Sequence, residues 1–230
     1  MSINITWHGH ANFYVESQGA RICIDPFFTG NPKADMAWDE LPGVDLVLVT
    51  HLHGDHVGDA VALCKKHQAL LGTVVGVAEK MVESGLPERL LYCGTGFNIG
   101  GTIEYKGVAV TMTEALHTSE AGCPAGYILR LQNGFTLYHA GDTGLFSNLG
   151  TWGELYKINL ALLPAGGFYT MDARQAAEAA RFLRADAAVP MHWGTFPVLA
   201  QEMSAFTQEL ARAAPSCKPI LMSPGETISF

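Results

Sequence analysis

The chain has 230 residues, 48% hydrophobic and 16% charged, with 25 glycines, 11 prolines and five cysteines. That length can bury a sizeable core, and so few charges among so many glycines exclude a disordered chain or a long coiled coil. The net charge of −8, from 14 Lys and Arg against 22 Asp and Glu, speaks against nucleic acid as a partner, since phosphate contacts need a basic surface.

No apolar run approaches the ~20 residues of a membrane span. The start, Met1-Ser2-Ile3-Asn4-Ile5-Thr6-Trp7, has neither the basic residues nor the apolar stretch of a signal peptide, so a cytoplasmic protein without membrane contact is expected. Cys23, Cys64, Cys93, Cys123 and Cys217 are scattered and form no Cys-x-x-Cys pair. They read as buried thiols, not as a disulfide framework or a zinc knuckle.

No linker, low-complexity tract or charge block divides residues 1–230, which predicts a single domain. In chain order, Phe13-Tyr14-Val15 and Arg21 to Ile24 flank a turn at Gln18-Gly19, and Val44 to Thr50 (VDLVLVT) suits a buried strand. A helix is predicted from about Gly58 to His67 and another from about Ala78 to Ser84. Val108 to Met112 alternates as a strand does. Tyr127 to Leu131 and Phe135 to Tyr138 flank Asn133-Gly134, a strong hairpin turn. Ile158 to Pro164 (INLALLP) repeats the character of VDLVLVT. A helix from about Asp172 to Leu183, a strand Ala187 to Met191 and a helix from about Gln201 to Ala213 complete the series. Two similar halves predict two sheets packed face to face with helices outside; the hairpins argue against the rival, a doubly wound parallel sheet.

The sharpest feature is His51-Leu52-His53-Gly54-Asp55-His56, directly after VDLVLVT. Imidazoles and a carboxylate suit zinc and other divalent first-row metals. Gly54 is expected to let the chain turn sharply, so that His51, His53, Asp55 and His56 converge. By composition such a cluster arises by chance in roughly one chain in two thousand. His117, Asp142 and His192 each follow the end of a predicted strand, where loops gather at one sheet edge and build sites.

With these residues in place the chain is similar to the metallo-β-lactamase superfamily, and almost end to end to a family of metal-dependent hydrolases within it. The matching stretches are GHANF (9–13), IDPFFTGNP (24–32), THLHGDHVGDA (50–60), NIGGT (98–102), PAGY (124–127), YHAGDTGLF (138–146), ELYKINLALLPAGG (154–167) and MHWGTFPV (191–198). The resemblance implies an αββα four-layer sandwich of mixed α/β class with a two-metal site at one edge of the sheets. It also implies that His51, His53 and His117 hold one metal, that Asp55, His56 and His192 hold the other, and that Asp142 bridges them. Zinc is the first choice for the two divalent ions, with manganese, iron or nickel as alternatives. Relatives with a di-iron centre for oxygen or sulfur chemistry carry an acidic residue at the place of His53, so the histidine here points to hydrolysis.

Two cations sharing an oxygen bring the pKa of bound water down from about 15.7 towards neutrality, which would make hydroxide available to attack a carbonyl or phosphoryl centre. Asp55 is the candidate to orient that nucleophile and carry its proton to the leaving group. His10, in the Gly-His of GHANF, and His139, three residues before Asp142, are candidates to hydrogen-bond a ligand or the substrate. His67, beside Lys65 and Lys66, reads as a solvated helix end. Phe168, Tyr169 and Trp193 could line an apolar mouth. With few basic residues the expected partner is a small, neutral or modestly charged ester, lactone or amide; assembly into a homo-oligomer is compatible with all of this. The rival readings are a phosphodiesterase or nuclease of the same superfamily and a metal-binding module without catalysis.

Overall fold

Alternation of side chains along strands divides the apolar residues between two cores. The computed structural model describes residues 2–230. One sheet contains β1 (Ile3–Trp7), β2 (Phe13–Ser17), β3 (Ala20–Ile24), β4 (Leu46–Leu48) and β5 (Leu70–Gly72), in that order. The other contains β6 (Thr102–Tyr105), β7 (Val108–Glu114), β8 (Ala125–Arg130), β9 (Thr136–His139), β10 (Leu160–Pro164), β11 (Ala187–Met191) and β12 (Lys218–Pro219), also in order. The chain then returns to the first sheet, where β13 (Thr227–Ser229) pairs antiparallel with β1.

Every residue of β10 is buried, as expected of a strand covered on both faces. Leu160 and Leu162 enter the core between the sheets, with Val189, Leu137 and Leu129. Ala161 and Leu163 face the opposite way, into a second core with Tyr138, Ala188 and Phe206. That second core is roofed by α4 (Leu149–Leu155), α5 (Ala173–Leu183) and α6 (Ser204–Ala213). On the other side α2 (Ala60–His67) and α3 (Val75–Glu83) cover the first sheet with Leu63, Cys64, Val77 and Met81. The layers run helix, sheet, sheet, helix, the αββα sandwich. Among the described residues no helix is long and apolar enough to cross a membrane.

Strand direction places the site. β3, β4 and β5 are mutually parallel, as are β9, β10 and β11. β7 shares the direction of β9, because each is antiparallel to β8 between them. The C-terminal ends of β7, β9, β10 and β11 therefore open on one edge, as those of β3 and β4 do in the facing sheet.

Several elements differ from expectation for local reasons. The helix expected from Gly58 to His67 begins at Ala60 as α2, and the short α1 (Gly54–Val57) before it was not expected; Gly58, whose φ of 42° no helix accommodates, divides the two. The helix expected from Ala78 begins at Val75, behind β-branched residues and Gly76 that score poorly for helix. The helix expected from Gln201 begins only at Ser204. The expected strand 44–50 keeps ladder pairing only over Leu46–Leu48. β1 and α4 were not expected: β1 carries an alternation, with Ile3, Ile5 and Trp7 buried, that was overlooked, and α4 (LGTWGEL) is masked by two glycines. His67 is half-buried at the end of α2, with Nε2 lacking a partner, and so is not the solvated side chain expected there.

One ion cluster ties the two sheets. Asp45 accepts from the Arg21 backbone N–H at 3.0 Å, Nε at 3.1 Å and Nη2 at 3.1 Å, and it pairs with Lys106 of the β6–β7 turn at 2.9 Å. Burial pushes its carboxyl pKa up, but the bonds from Arg21 and Lys106 outweigh this and hold it below the usual range. Such a group stabilises the fold above its unfolded pKa of ~3.9, and the contribution is lost as pH falls through the lower folded value. Asp45→Asn is expected to cost about 1–2 kcal/mol at pH 7, the partly exposed cations limiting the figure. The penalty should shrink as pH falls below the unfolded pKa of ~3.9 and through the lower folded value, which urea unfolding of both proteins at pH 7 and along an acid series measures.

Candidate metal centre

The loop after β4 carries His51 to His56. His51 and His56 are fully buried, while His53 and Asp55 are partly exposed. Gly54 has no left-handed φ, and a Cβ there would meet nothing within 4 Å, so the sharp turn expected of it is not what brings the side chains together. They converge because residues 54–57 form one helical turn, with His53 as N-cap.

Asp25, at the end of β3, organises this loop, and it was not singled out from the sequence. Its Oδ1 accepts the Thr50 backbone N–H and its Oδ2 the Thr50 hydroxyl, both at 2.8 Å. Oδ2 also receives Nδ1–H of His56 at 2.7 Å. The Thr50 hydroxyl, having donated to Asp25, accepts from His51 Nδ1–H at 3.0 Å. One carboxylate therefore turns Nε2 of both His51 and His56 towards the centre, the arrangement in which an outer carboxylate fixes a ligand tautomer. A signal existed: Asp25 directly follows an apolar strand, as His192 does.

The expected residues are brought together in two groups. His51, His53 and His117 offer donor atoms within 4.8 Å of one another, and so do Asp55, His56, His192 and also His10. Asp142 Oδ2 lies 3.5 Å from His117 Nε2, 3.3 Å from His56 Nε2 and 3.1 Å from His192 Nε2. His192, at φ 59°, donates its backbone N–H to His10 O at 3.1 Å, joining the loop after β11 to the loop after β1. A Cβ on Gly166 would collide with the His192 carbonyl oxygen, so only glycine lets β10 and the His192 loop approach this closely.

Electrostatics favour a cation. Burial, aided by neighbouring His56, pushes the pKa of His51 down to about 2. Burial lowers that of His117 as well. For His56 burial also acts downward, but the Asp142 and Asp25 carboxylates outweigh it and hold the ring well above its usual value. Burial raises Asp142, yet His56 and His192 outweigh this and keep it well below the carboxylate range. His56 Nε2, Asp142 Oδ1 and His192 Nδ1 are buried without a hydrogen-bond partner. Such orphaned atoms are costly, and a divalent cation with nitrogen and oxygen ligands would satisfy those that face it. The donor set fits the metal.

His10 and His139 have different surroundings. His10 is fully buried, and burial pushes its pKa down to about 4. Its Nε2 lies 3.2 Å from Asp55 Oδ2 and its Nδ1 2.9 Å from Thr195 Oγ1. Burial raises the Asp55 carboxyl, but the His10 bond and nearby His56 outweigh it and hold it below the usual range. An ionised carboxylate only accepts, so Nε2–H donates to Asp55 and Nδ1 accepts from the Thr195 hydroxyl. His139 donates from Nε2 to Ala11 O at 2.9 Å and accepts the Gly141 N–H at Nδ1, 3.1 Å. Both its nitrogens are spent on backbone, which corrects the expectation that it bonds a ligand or the substrate: His139 braces the turn that carries Asp142.

His53, Asp55, His117, Asp142 and His192 line a cavity of about 560 Å³ together with Thr118, Tyr169, Phe196 and Val198. Tyr169 lies where a mouth residue was expected. Trp193 does not, because its ring packs on Trp7 and its indole N–H donates to Pro190 O at 3.0 Å.

Two layers of sheet and this His/Asp cluster at their edge define a metal-dependent hydrolase of metallo-β-lactamase fold, and comparison with known proteins bears this out. Residues 20–193 match the family described as the beta-lactamase superfamily domain, and the chain belongs to it. A UPF0173 metal-dependent hydrolase of Nitratidesulfovibrio vulgaris (strain DP4) is 57% identical over 230 residues, covering 100% of this chain and 96% of its own. Another, from Lawsonia intracellularis, is 53% identical and covers 97% of each. Among solved structures Igni18, a metallo hydrolase from Ignicoccus hospitalis, superposes with a TM-score of 0.90 at 36% identity, over 100% of this chain and 99% of its own.

Asp25→Ala is expected to weaken metal binding about 10–100-fold, because His56 loses its carboxylate partner and Thr50 is free to turn away from His51. Competition with a chromophoric chelator measures it.

Proposed function

We propose that this hydrolase works with two divalent cations, zinc first among them, on an ester, lactone or amide-type bond of a small uncharged or weakly charged molecule. The observation that carries the reading is the place of Asp142, whose single Oδ2 lies within 3.5 Å of nitrogens from both donor groups. His51, His53 and His117 would hold one ion, and Asp55, His56 and His192 the other, with Asp142 shared. Bound there, the ions supply a water of lowered pKa and positive charge for the oxyanion that develops.

The chain's own residues do the rest. Asp55 lines the cavity, and its depressed pKa keeps the carboxylate ionised at neutral pH. It takes up the proton released by the attacking water and returns it to the leaving group. His10 holds Asp55 Oδ2 in place and Thr195 holds His10. Among the described residues lining the cavity there is no lysine or arginine, which favours an uncharged substrate over a phosphodiester.

Elemental analysis of protein purified without chelator should find about two metal equivalents per chain, and Asp142→Ala should lose both occupancy and activity. Lys157→Ala, at an 80%-exposed side chain, should lose neither. One equivalent in wild type, or comparable behaviour of the two variants, removes the shared role of Asp142. At saturating metal the wild-type pH–rate profile should rise towards an apparent pKa near or below ~7. Asp55, already ionised there, adds no limb of its own in that range. Asp55→Asn, with metal occupancy measured alongside because Asp55 is also a proposed ligand, should lower kcat per bound metal about 10²–10⁴-fold; unchanged turnover would end its proton-handling role.

A further inference from the structure

Large apolar side chains stand in solvent at the cavity, Tyr169 57% and Val198 45% exposed; Phe168, 75% exposed, does not line it, contrary to expectation. Their backbone is not loose. Phe168 has a φ of 58°, a conformation that bulky residues avoid. Its turn is closed by Gly167 N–H on Met171 O at 2.9 Å and pinned by Met171 N–H on Thr143 O at 3.1 Å, one residue past Asp142. The loop carrying Val198 is tied to the same segment, with Ala200 N–H on Gly166 O at 2.9 Å. Tyr169, Phe196 and Val198 thus line, on tied backbone, the same cavity as the donors, and its volume falls within the roughly 300–1,000 Å³ of small-molecule sites.

We infer that Tyr169 and Val198, backed by Phe196, are the specificity-determining pocket for an apolar substituent, an acyl chain or aromatic ring, on a substrate whose scissile carbonyl lies over the His/Asp cluster. The occupant is the substrate itself, because these side chains and the donors line one cavity and the former offer no charge to a partner's polar rim. This rests on the hydrolase reading above and adds the substrate class. Phe196 also packs edge-on against His10, with ring centroids 5.5 Å apart, so Tyr169 and Val198 are the cleaner positions to change.

The test uses the full chain loaded with metal and the p-nitrophenyl esters of acetate, butyrate and hexanoate, in wild type, Tyr169→Ser and Val198→Ser. Wild-type kcat/KM should rise about fourfold per methylene, carried mainly by KM. The hexanoate-to-acetate ratio should fall several-fold in each variant, while metal content and unfolding temperature hold. Calorimetric titration with hexanamide and acetamide reads the pocket without turnover: hexanamide should bind wild type about tenfold or more tighter, with negative ΔCp, and the variants should lose that preference. A flat ester series with equal amide affinities overturns the inference and leaves the hydrolase reading standing. Hexanamide preference lost in the variants, with no ester cleaved, upholds the pocket and overturns only the bond type. Cleavage of bis(p-nitrophenyl) phosphate alone, without amide preference, overturns both.

Discussion

Asp25 has no exposed surface, and a carboxyl group in that position needs its lone pairs filled by the protein. Each bond that fills them also constrains the centre. The Thr50 N–H and hydroxyl hold the end of β4 against the end of β3, and the Asp25 N–H returns a bond to Leu48 O at 2.9 Å. His56 is fixed directly and His51 through Thr50. A buried polar group is tolerated when its bonds are made, so the cost of burying Asp25 is offset by the same bonds that orient two candidate ligands. The chain accepts a φ of 47° at Asp25 to achieve it, a strain that persists where the surroundings over-determine the residue.

Convergence follows from strand direction. Residues as distant in sequence as His10 and His192 meet because the strands before them end at one edge of the sandwich, and the cores beneath are built of buried alternating residues. The cost is electrostatic, since imidazoles and carboxylates crowd together where water is scarce. Burial keeps His51 and His117 unprotonated, and the carboxylates facing His56 and His192 complete a site poised for positive charge. The same cavity is lined by the apolar side chains of Tyr169, Phe196 and Val198 as well as by these donors.

The strongest signals in the sequence were those set by local spacing. The His51–His56 run, the Asn133-Gly134 turn and the apolar runs before each ligand all mark real features, because turn chemistry and alternation act over a few residues. What was not legible depends on packing between distant segments. α4 is hidden by glycines, Trp193 is drawn away by Trp7, and Gly54 proved dispensable to a turn made by helix geometry. Asp25 could have been found by the rule that located Asp142, a carboxylate just past a buried strand. It lies inside a quoted motif but outside any cluster of histidines, so composition drew no attention to it.

His10 and His139 show why residue type and motif position do not assign a role. Both rings are buried and both are pushed to lower pKa by burial, so protonation alone does not separate them. The difference is what their nitrogens can reach. His139 meets a carbonyl on one side and a backbone N–H on the other, which fixes its tautomer and leaves no lone pair for chemistry. His10 meets a hydroxyl and a carboxylate that itself lines the cavity. A change at His10 therefore touches groups that line the cavity, Asp55 by a hydrogen bond and Phe196 by packing, whereas a change at His139 acts on the backbone beneath Asp142.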